Sequence, residues 1–155
     1  MTTRSERLAA QLEAATQDAI QAVQTCSDSV WHAATPNDGR TVGVVAHHCA
    51  TGDLPIGELV DVIAKSKPMP PLTPEMIDQG NAQHAVEFAN VTKADTVAAL
   101  QQNGIAAAAM VRALNDEQLD RSAQLFGEQW TAERAIQQIL IGHITGHLES
   151  IRAAG

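Results

Sequence analysis

Apolar residues recur every three or four positions along most of this chain, which is the period of one face of an α-helix. No segment shows the strict alternation of a half-buried strand, and residues 115–129 look irregular with one short turn. The pattern therefore predicts an all-α protein, a bundle of four long helices and one shorter helix. The predicted helices lie between turn residues and threonine caps and cover residues 4–30, 41–64, 74–89, 92–114 and 131–154.

Proline and glycine mark where the predicted helices bend or stop. The loop Ala34–Gly39 is dense in turn residues and ends the first helix, whereas Pro55 predicts a kink or a break inside the second. The proline-rich run Ser66–Leu72 predicts a rigid connection, and Pro74 follows it at the first position of the short helix. Together the run and the short helix form a long connection between the second and third long helices.

The composition favours a single helical domain over residues 1–155, because a chain 45% hydrophobic can bury one core. A net charge of −8 without a basic stripe argues against nucleic acid and anionic membrane surfaces as partners. No apolar run approaches ~18 residues, and the first residues lack the apolar stretch of a secretory signal. Since the only cysteines, Cys26 and Cys49, are expected as reduced thiols, we expect a cytoplasmic location.

The strongest candidate chemistry is a pair of histidines in the last predicted helix. His143 and His147 are four residues apart, so their side chains share one helix face. At about 100° per residue, His147 lies roughly 20° and His143 roughly 60° from the centre of the apolar stripe, and both should point inward. An inward imidazole has two ring nitrogens to satisfy. The pair therefore predicts either a metal site or two core histidines bonded to buried polar groups or water.

A third candidate ligand lies in the second helix, where His47, His48 and Cys49 are adjacent. His48 lies roughly 90° from the apolar face of this helix and His47 roughly 165° from it. His48 is therefore the better ligand candidate. His47 is expected on the outer face with Val44, where both would suit contact with a partner subunit. Cys49 is expected to be a buried small hydrophobe rather than a ligand or a nucleophile.

The depth of the histidines along their helices predicts a topology. His48 is about seven residues into the second helix, or ~10 Å, whereas His147 is about seven residues from the end of the last. The three histidines reach one level only if these two helices are antiparallel. The second and third long helices must then run the same way, joined by the long connection. A shared site thus predicts an up-down-down-up four-helix bundle with an extra helix in the crossover.

The same residues carry a resemblance to a known family. The run Thr41–His48, followed by His143-x-x-x-His147 in the final helix, resembles the DinB/YfiT-like metalloenzymes, and the segment Gly80–Ala85 is common in one branch of that family. The resemblance covers nearly the whole chain. It implies a four-helix bundle with a long crossover, in agreement with the topology above.

The resemblance also implies the ligands of a divalent metal ion, which in this family come from one histidine of the second helix and two of the last. Here these are His48, His143 and His147. Zinc, nickel, iron and manganese are all compatible with imidazole ligands. The sequence departs from the family just before Thr41, where a tryptophan is common and Arg40 stands instead. This departure concerns the entrance of the site more than its ligands.

Two functions follow from this pattern. The first is a metal-dependent enzyme acting on a small molecule, either a transferase or isomerase that uses a low-molecular-weight thiol, as in characterised relatives, or a hydrolase. The second is a non-catalytic helical module, a dimeric ligand-binding protein or scaffold, in which the histidines are core polar residues. A homodimer is expected in either case.

Other polar residues are expected to have structural roles. Asp53, Glu58 and Asp61 are expected on a solvated face rather than as an acid–base pair. His84, in the crossover helix, is expected at the surface or at its boundary, with a place on the pocket wall as the alternative. Trp31 is expected to cover one end of the bundle.

Overall fold

The computed structural model describes residues 1–155. Threonine side chains cap five of the helices, each accepting a hydrogen bond from the backbone N–H three residues later. In chain order the elements are α1 (Arg4–Thr25), α2 (Asp28–Trp31), α3 (Val42–Ala64), α4 (Pro74–Glu87), α5 (Lys93–Arg112), α6 (Asp116–Asp120), β1 (Ser122–Leu125), β2 (Glu128–Thr131), α7 (Ala132–Ala135), a π-helical segment (Ile136–Ile141) and α8 (Gly142–Ala154).

Ion pairs at the two ends of the bundle give the directions of α1, α5 and the last helix. Arg4, at the start of α1, pairs with Glu133 of α7 at 2.5 Å, so α1 and the helix formed by α7, the π-segment and α8 begin at the same end. Lys93, at the start of α5, pairs at 3.2 Å with Asp28, which follows the end of α1. Helix α5 is therefore antiparallel to α1.

Contacts at the start of α3 complete the topology. Asn37 donates a hydrogen bond to Ser150 Oγ at 2.5 Å, which places the chain entering α3 beside the end of α8. The buried Trp31 packs on Gly43 of α3 and donates to the carbonyl of Val91, just before α5, at 3.2 Å. Helix α3 is therefore antiparallel to α8 and parallel to α5. The bundle runs up-down-down-up with a crossover that contains α4, as the sequence predicted.

Thirty buried residues form one apolar cluster at the centre of the bundle. Helix α1 packs on α5 and α8, and α3 packs on the same two helices. The completely buried side chains come from all four long helices and include Leu12, Ile63, Leu100, Leu140 and Ile144. The apolar faces of the helices thus point toward one another. None of the helices has the length and apolarity needed to cross a membrane.

The first helix is shorter than the prediction of residues 4–30. It ends at Thr25, and Cys26 is extended with φ −65° and ψ 133°. Ser27 then accepts a hydrogen bond from the backbone N–H of Val30 and starts the separate helix α2. The apolar period continues through this point, but the local serine cap turns the chain and lets Trp31 reach the end of the bundle.

A β-hairpin occupies the second half of the segment that was predicted to be irregular. Strands β1 and β2 are antiparallel, with Ser122 opposite Thr131 and Leu125 opposite Glu128. Phe126 and Gly127 have φ angles of 52° and 78°, as a two-residue turn with positive φ at both positions requires. The expectation of no strand was wrong here, because each strand has only four residues and its alternation is too short to recognise.

The last helix contains a π-helical segment that the period did not predict. Ile136–Ile141 forms this segment between α7 and α8. A π-segment contains an extra residue per turn and shifts the face presented by the residues after it. Ile136 and Leu140 of this segment are fully buried, and so is Ile144 in α8. The segment therefore sets the rotation of α8 about its own axis, and with it the direction of the His143 side chain.

The crossover helix α4 covers residues that were expected to face outward. None of its own residues is buried. His47 and Val44 are nevertheless only 7% and 4% exposed, because α4 and the chain after it lie over this face of α3. The expectation of an outer-face His47 and Val44 at a subunit contact was wrong, since the period gives the direction of a side chain but not what covers it.

Asp53 was expected on a solvated face and is instead buried, with 1% of its surface exposed. Neither carboxyl oxygen has a hydrogen-bond partner, and burial raises the pKa of Asp53 to about 7. Asp61, by contrast, pairs with Lys65 and Lys67 at 2.6 and 2.8 Å, which lowers its pKa. The two acids lie on the same helix and have opposite environments.

Replacing Leu140 by alanine should destabilise the protein by about 2–5 kcal/mol, because loss of this completely buried side chain of the π-segment leaves a cavity in the core. Leu54, which is 52% exposed, provides the matched control, and its replacement by alanine should change stability by less than about 0.5 kcal/mol. Urea unfolding followed by circular dichroism measures both. Equal losses in the two variants would contradict this account of the core.

Asp53→Asn should stabilise the protein at pH 8 by on the order of 1–3 kcal/mol, because it removes an unpartnered buried charge. Between the ordinary pKa of 3.8 and the folded value of about 7, the folded chain holds a proton that the unfolded chain releases. The stability contributed by this group is thus lost as the pH rises through that window, and the advantage of the variant should shrink toward pH 4.

The measurement is urea unfolding of wild type and variant at pH 4, 6 and 8. Asp61→Asn is the control and should act in the opposite direction at pH 8, because it breaks two ion pairs. If the stability difference between Asp53→Asn and wild type did not change with pH, the raised pKa of a buried, unpartnered Asp53 would be refuted.

Candidate metal centre

Three histidines converge between α3 and α8. His48 comes from α3, and His143 and His147 come from α8. One ligand nitrogen from each ring lies within 4.8 Å of the other two. The Nε2 atoms of His48 and His143 are 3.0 Å apart. The ring centroids of the three pairs lie 4.4 to 4.9 Å apart, and the rings meet edge to face.

The antiparallel packing of α3 and α8 brings these side chains to one level. His143 and His147 share a face through their four-residue spacing, and both are half-buried at the edge of the core stripe. His48 is also half-buried and lies opposite them on α3. The sequence therefore identified three residues that the fold brings together, and it also gave the helix direction that this requires.

Gly52 allows the close approach of His143 to α3. A Cβ atom at position 52 would lie 2.4 Å from Cε1 and 3.0 Å from Nδ1 of His143, so the ring lies directly on the glycine backbone. Gly52 is one turn after His48 and on the same side of the helix. Sequence reasoning did not single out this residue, although a glycine four positions from a candidate ligand inside a long helix is a recognisable signal.

Burial keeps the three imidazoles neutral. Burial, together with the charge that His147 would carry, lowers the pKa of His48 and of His143 to about 3. The pKa of His147 is also lowered, mainly by burial and then by the charge of Arg40. A neutral ring offers a free nitrogen lone pair, which is the form in which histidine binds a metal ion.

The donor set fits a divalent ion. Two nitrogens bound to one tetrahedral ion at about 2.0–2.1 Å are about 3.3 Å apart, close to the 3.0 Å between His48 and His143. No carboxylate or thiolate joins the group, so the set is three imidazoles. His143 Nδ1 is buried without a hydrogen-bond partner, so protein groups satisfy this ring at Nε2 alone.

A pair of histidines, His47 and His84, adjoins the three-histidine cluster. His47 Nδ1 and His84 Nε2 are 2.9 Å apart, and Phe88 packs on both rings. The His84 ring lies 5.5 Å from that of His48. Burial lowers the pKa of His84 to about 4. His84 is thus a partly buried residue beside the three-histidine cluster, which agrees with the boundary position and the place near the pocket considered from the sequence.

Arg40 lies at the start of α3 in a loop tied to both helices of the site. Its Nε donates to Asp38 Oδ2 at 2.7 Å, and its backbone N–H donates to Asp38 Oδ1 at 3.0 Å. Asn37 of the same loop is bonded to Ser150, one turn beyond His147. The Arg40 charge contributes to the lowered pKa of each of the histidines His48, His84, His143 and His147.

Cys49 takes no part in the cluster. It is 1% exposed in the apolar core, and burial raises the pKa of its thiol to about 12. The thiolate needed for a nucleophile or a metal ligand is therefore strongly disfavoured. The expectation that this residue is a buried small hydrophobe is confirmed by its position.

Comparison with known proteins agrees with this fold. YfiT from Bacillus subtilis, described as a probable metal-dependent hydrolase with an unusual four-helix bundle topology, has a structure similar to this one, with a TM-score of 0.78. The two chains are 20% identical, and the match covers 97% of this chain and 85% of YfiT. No curated protein matches the sequence. The family model of the DinB superfamily matches residues 11–151, and the chain therefore belongs to the DinB superfamily.

Proposed function

We propose that this protein is a metal-dependent enzyme whose divalent ion is held by His48, His143 and His147. The observation that carries the proposal is the convergence of three neutral imidazoles within 4.8 Å, at the junction of two antiparallel helices. Core histidines serving only as structural polar groups would be expected to bond to backbone or side-chain oxygens. The one hydrogen-bonding contact that these three rings make is instead between Nε2 of His48 and Nε2 of His143.

Three protein ligands are typical of catalytic rather than structural metal sites, because they leave a coordination position for another group. A divalent ion in such a site supplies a Lewis acid and lowers the pKa of a water or thiol that it binds. The chain's own contribution is to hold three rings neutral and at fixed spacing. Zinc, nickel, iron and manganese all remain candidates by ligand type.

The proposed reaction is hydrolysis of a small molecule or transfer of a group to a low-molecular-weight thiol. Hydrolysis is favoured by the similarity to YfiT, whose description is that of a probable metal-dependent hydrolase. Thiol transfer is favoured by the family resemblance alone. No cysteine of the chain supplies the thiol, since Cys49 is in the core and Cys26 lies beside the break between α1 and α2. A thiol substrate would therefore come from solution.

Protein purified without an affinity tag should contain about one divalent ion per chain, and the triple variant His48→Ala, His143→Ala, His147→Ala should contain almost none. Elemental analysis of both proteins, dialysed against the same zinc-containing buffer, measures the difference. His32→Ala is the matched control, because His32 is an exposed histidine at the end of α2 and outside the three-histidine cluster. Equal metal content in wild type and triple variant would instead support a non-catalytic helical module.

Gly52→Ala should weaken metal binding by at least about tenfold while the protein remains folded, because the new methyl group displaces the ring of His143. Gly146→Ala is the control, since nothing lies within 4 Å of a Cβ at that position between the two α8 histidines. Zinc affinity by competition with a chromophoric chelator measures both variants. Unchanged affinity in Gly52→Ala would show that the position of His143 does not matter for metal binding.

A further inference from the structure

A small cavity lies beside the three-histidine cluster, between the loop before α3 and the crossover helix. Its volume is about 340 Å³, and it is lined by Asp38, Gly39, Arg40, Thr41, Val44 and two alanines after His84. Val44 is one helical turn before His48 and on the same side of α3. Ala85 follows His84, whose ring lies 5.5 Å from that of His48. No histidine lines the cavity itself, which lies on the α4 side of α3 about one helical turn from His48.

Arg40 is the only cationic residue of this cavity, and part of its guanidinium is free. Asp38 holds Nε at 2.7 Å, which fixes the direction of the group. Nη1 is buried and has no hydrogen-bond partner. A buried N–H without a partner is unfavourable, and an oxyanion is the partner that a guanidinium binds best.

The remaining walls of the cavity are small and largely apolar. Val44 is buried, and Ala85 and Ala89 add only methyl groups. Asp38, the one acid present, is already engaged by Arg40 through both its oxygens. The cavity thus combines one oriented guanidinium, paired on one edge with Asp38, with room for a few carbon atoms.

We propose that this cavity is the subsite for an oxyanion of the substrate, a carboxylate or a phosphate on a short carbon chain, held by Arg40 with the rest of the molecule extending toward the three histidines. The inference rests on the proposed metal centre and specifies its substrate class. The anionic group would place a neighbouring reactive bond near His48. Because the chain as a whole carries a net charge of −8, this local cation determines which anions enter.

Cobalt-loaded protein tests the subsite without an activity assay. Co²⁺ bound to imidazoles has a visible spectrum that changes when another group enters its surroundings, and it is loaded into wild type, Arg40→Gln and Arg152→Gln. Each protein is titrated with acetate, butyrate and inorganic phosphate at constant ionic strength. Arg152 is the matched control, because it is an exposed arginine of α8 that forms no ion pair.

We expect butyrate or phosphate to shift the wild-type spectrum with an affinity that Arg40→Gln lowers about tenfold or more and Arg152→Gln leaves unchanged. Tighter binding of butyrate than of acetate would identify a carboxylate with an apolar tail, and tighter binding of phosphate would identify a phosphate ester. The double variant Arg40→Gln, Asp38→Asn should lose binding equally, which separates loss of the cation from an unpaired Asp38.

Two outcomes overturn the inference and differ from each other. In the first, the cobalt spectrum is normal, but wild type and Arg40→Gln have equal anion affinities or respond to none of the three anions. This result contradicts the subsite and leaves the metal centre supported. A wild-type protein that binds no cobalt removes the metal centre, and the subsite with it.

Discussion

The direct packing of the His143 ring on the backbone of Gly52 determines the geometry of the whole site. It sets how closely α8 approaches α3, and the antiparallel direction of the two helices then decides which side chains share a level. The same packing excludes part of the water around the rings, which are half-buried between the two helices. Position, neutrality and mutual contact of the three imidazoles are consequences of one close helix–helix approach.

This arrangement reduces the stability of the protein in the absence of a bound partner. His143 Nδ1, His84 Nδ1 and Arg40 Nη1 are all buried without hydrogen-bond partners, and they lie at or beside the cluster. A buried polar atom without a partner is unfavourable, and several of them at one place are a cost that the rest of the fold must offset. The apolar cluster on the other sides of the bundle, shared by all four long helices, supplies the stability that tolerates this local cost.

The sequence predicted the helices and the site because both depend on short-range spacing. Threonine caps gave the starts of four helices, and matched histidine depths required the antiparallel pair that the structure shows. It did not predict features that depend on neighbours distant in the chain. The rotation introduced by Ile136–Ile141, the cover over His47 and the burial of Asp53 all arise from packing between helices. Phe126 in a positive-φ turn position gives no local signal, since phenylalanine is not a turn residue.

The crossover helix has a kinetic consequence. Helix α4 buries none of its own residues, yet its end, with Phe88, covers His47, and it contributes Ala85 to the wall of the cavity. A segment with so little buried surface opens by local fluctuation at far less free energy than unfolding of the bundle requires, and its amide protons should exchange early. The cover over His47 and one wall of the cavity are therefore provided by an element on which the stability of the protein hardly depends. Changes in α4 can alter access to the site while the rest of the fold stays constant.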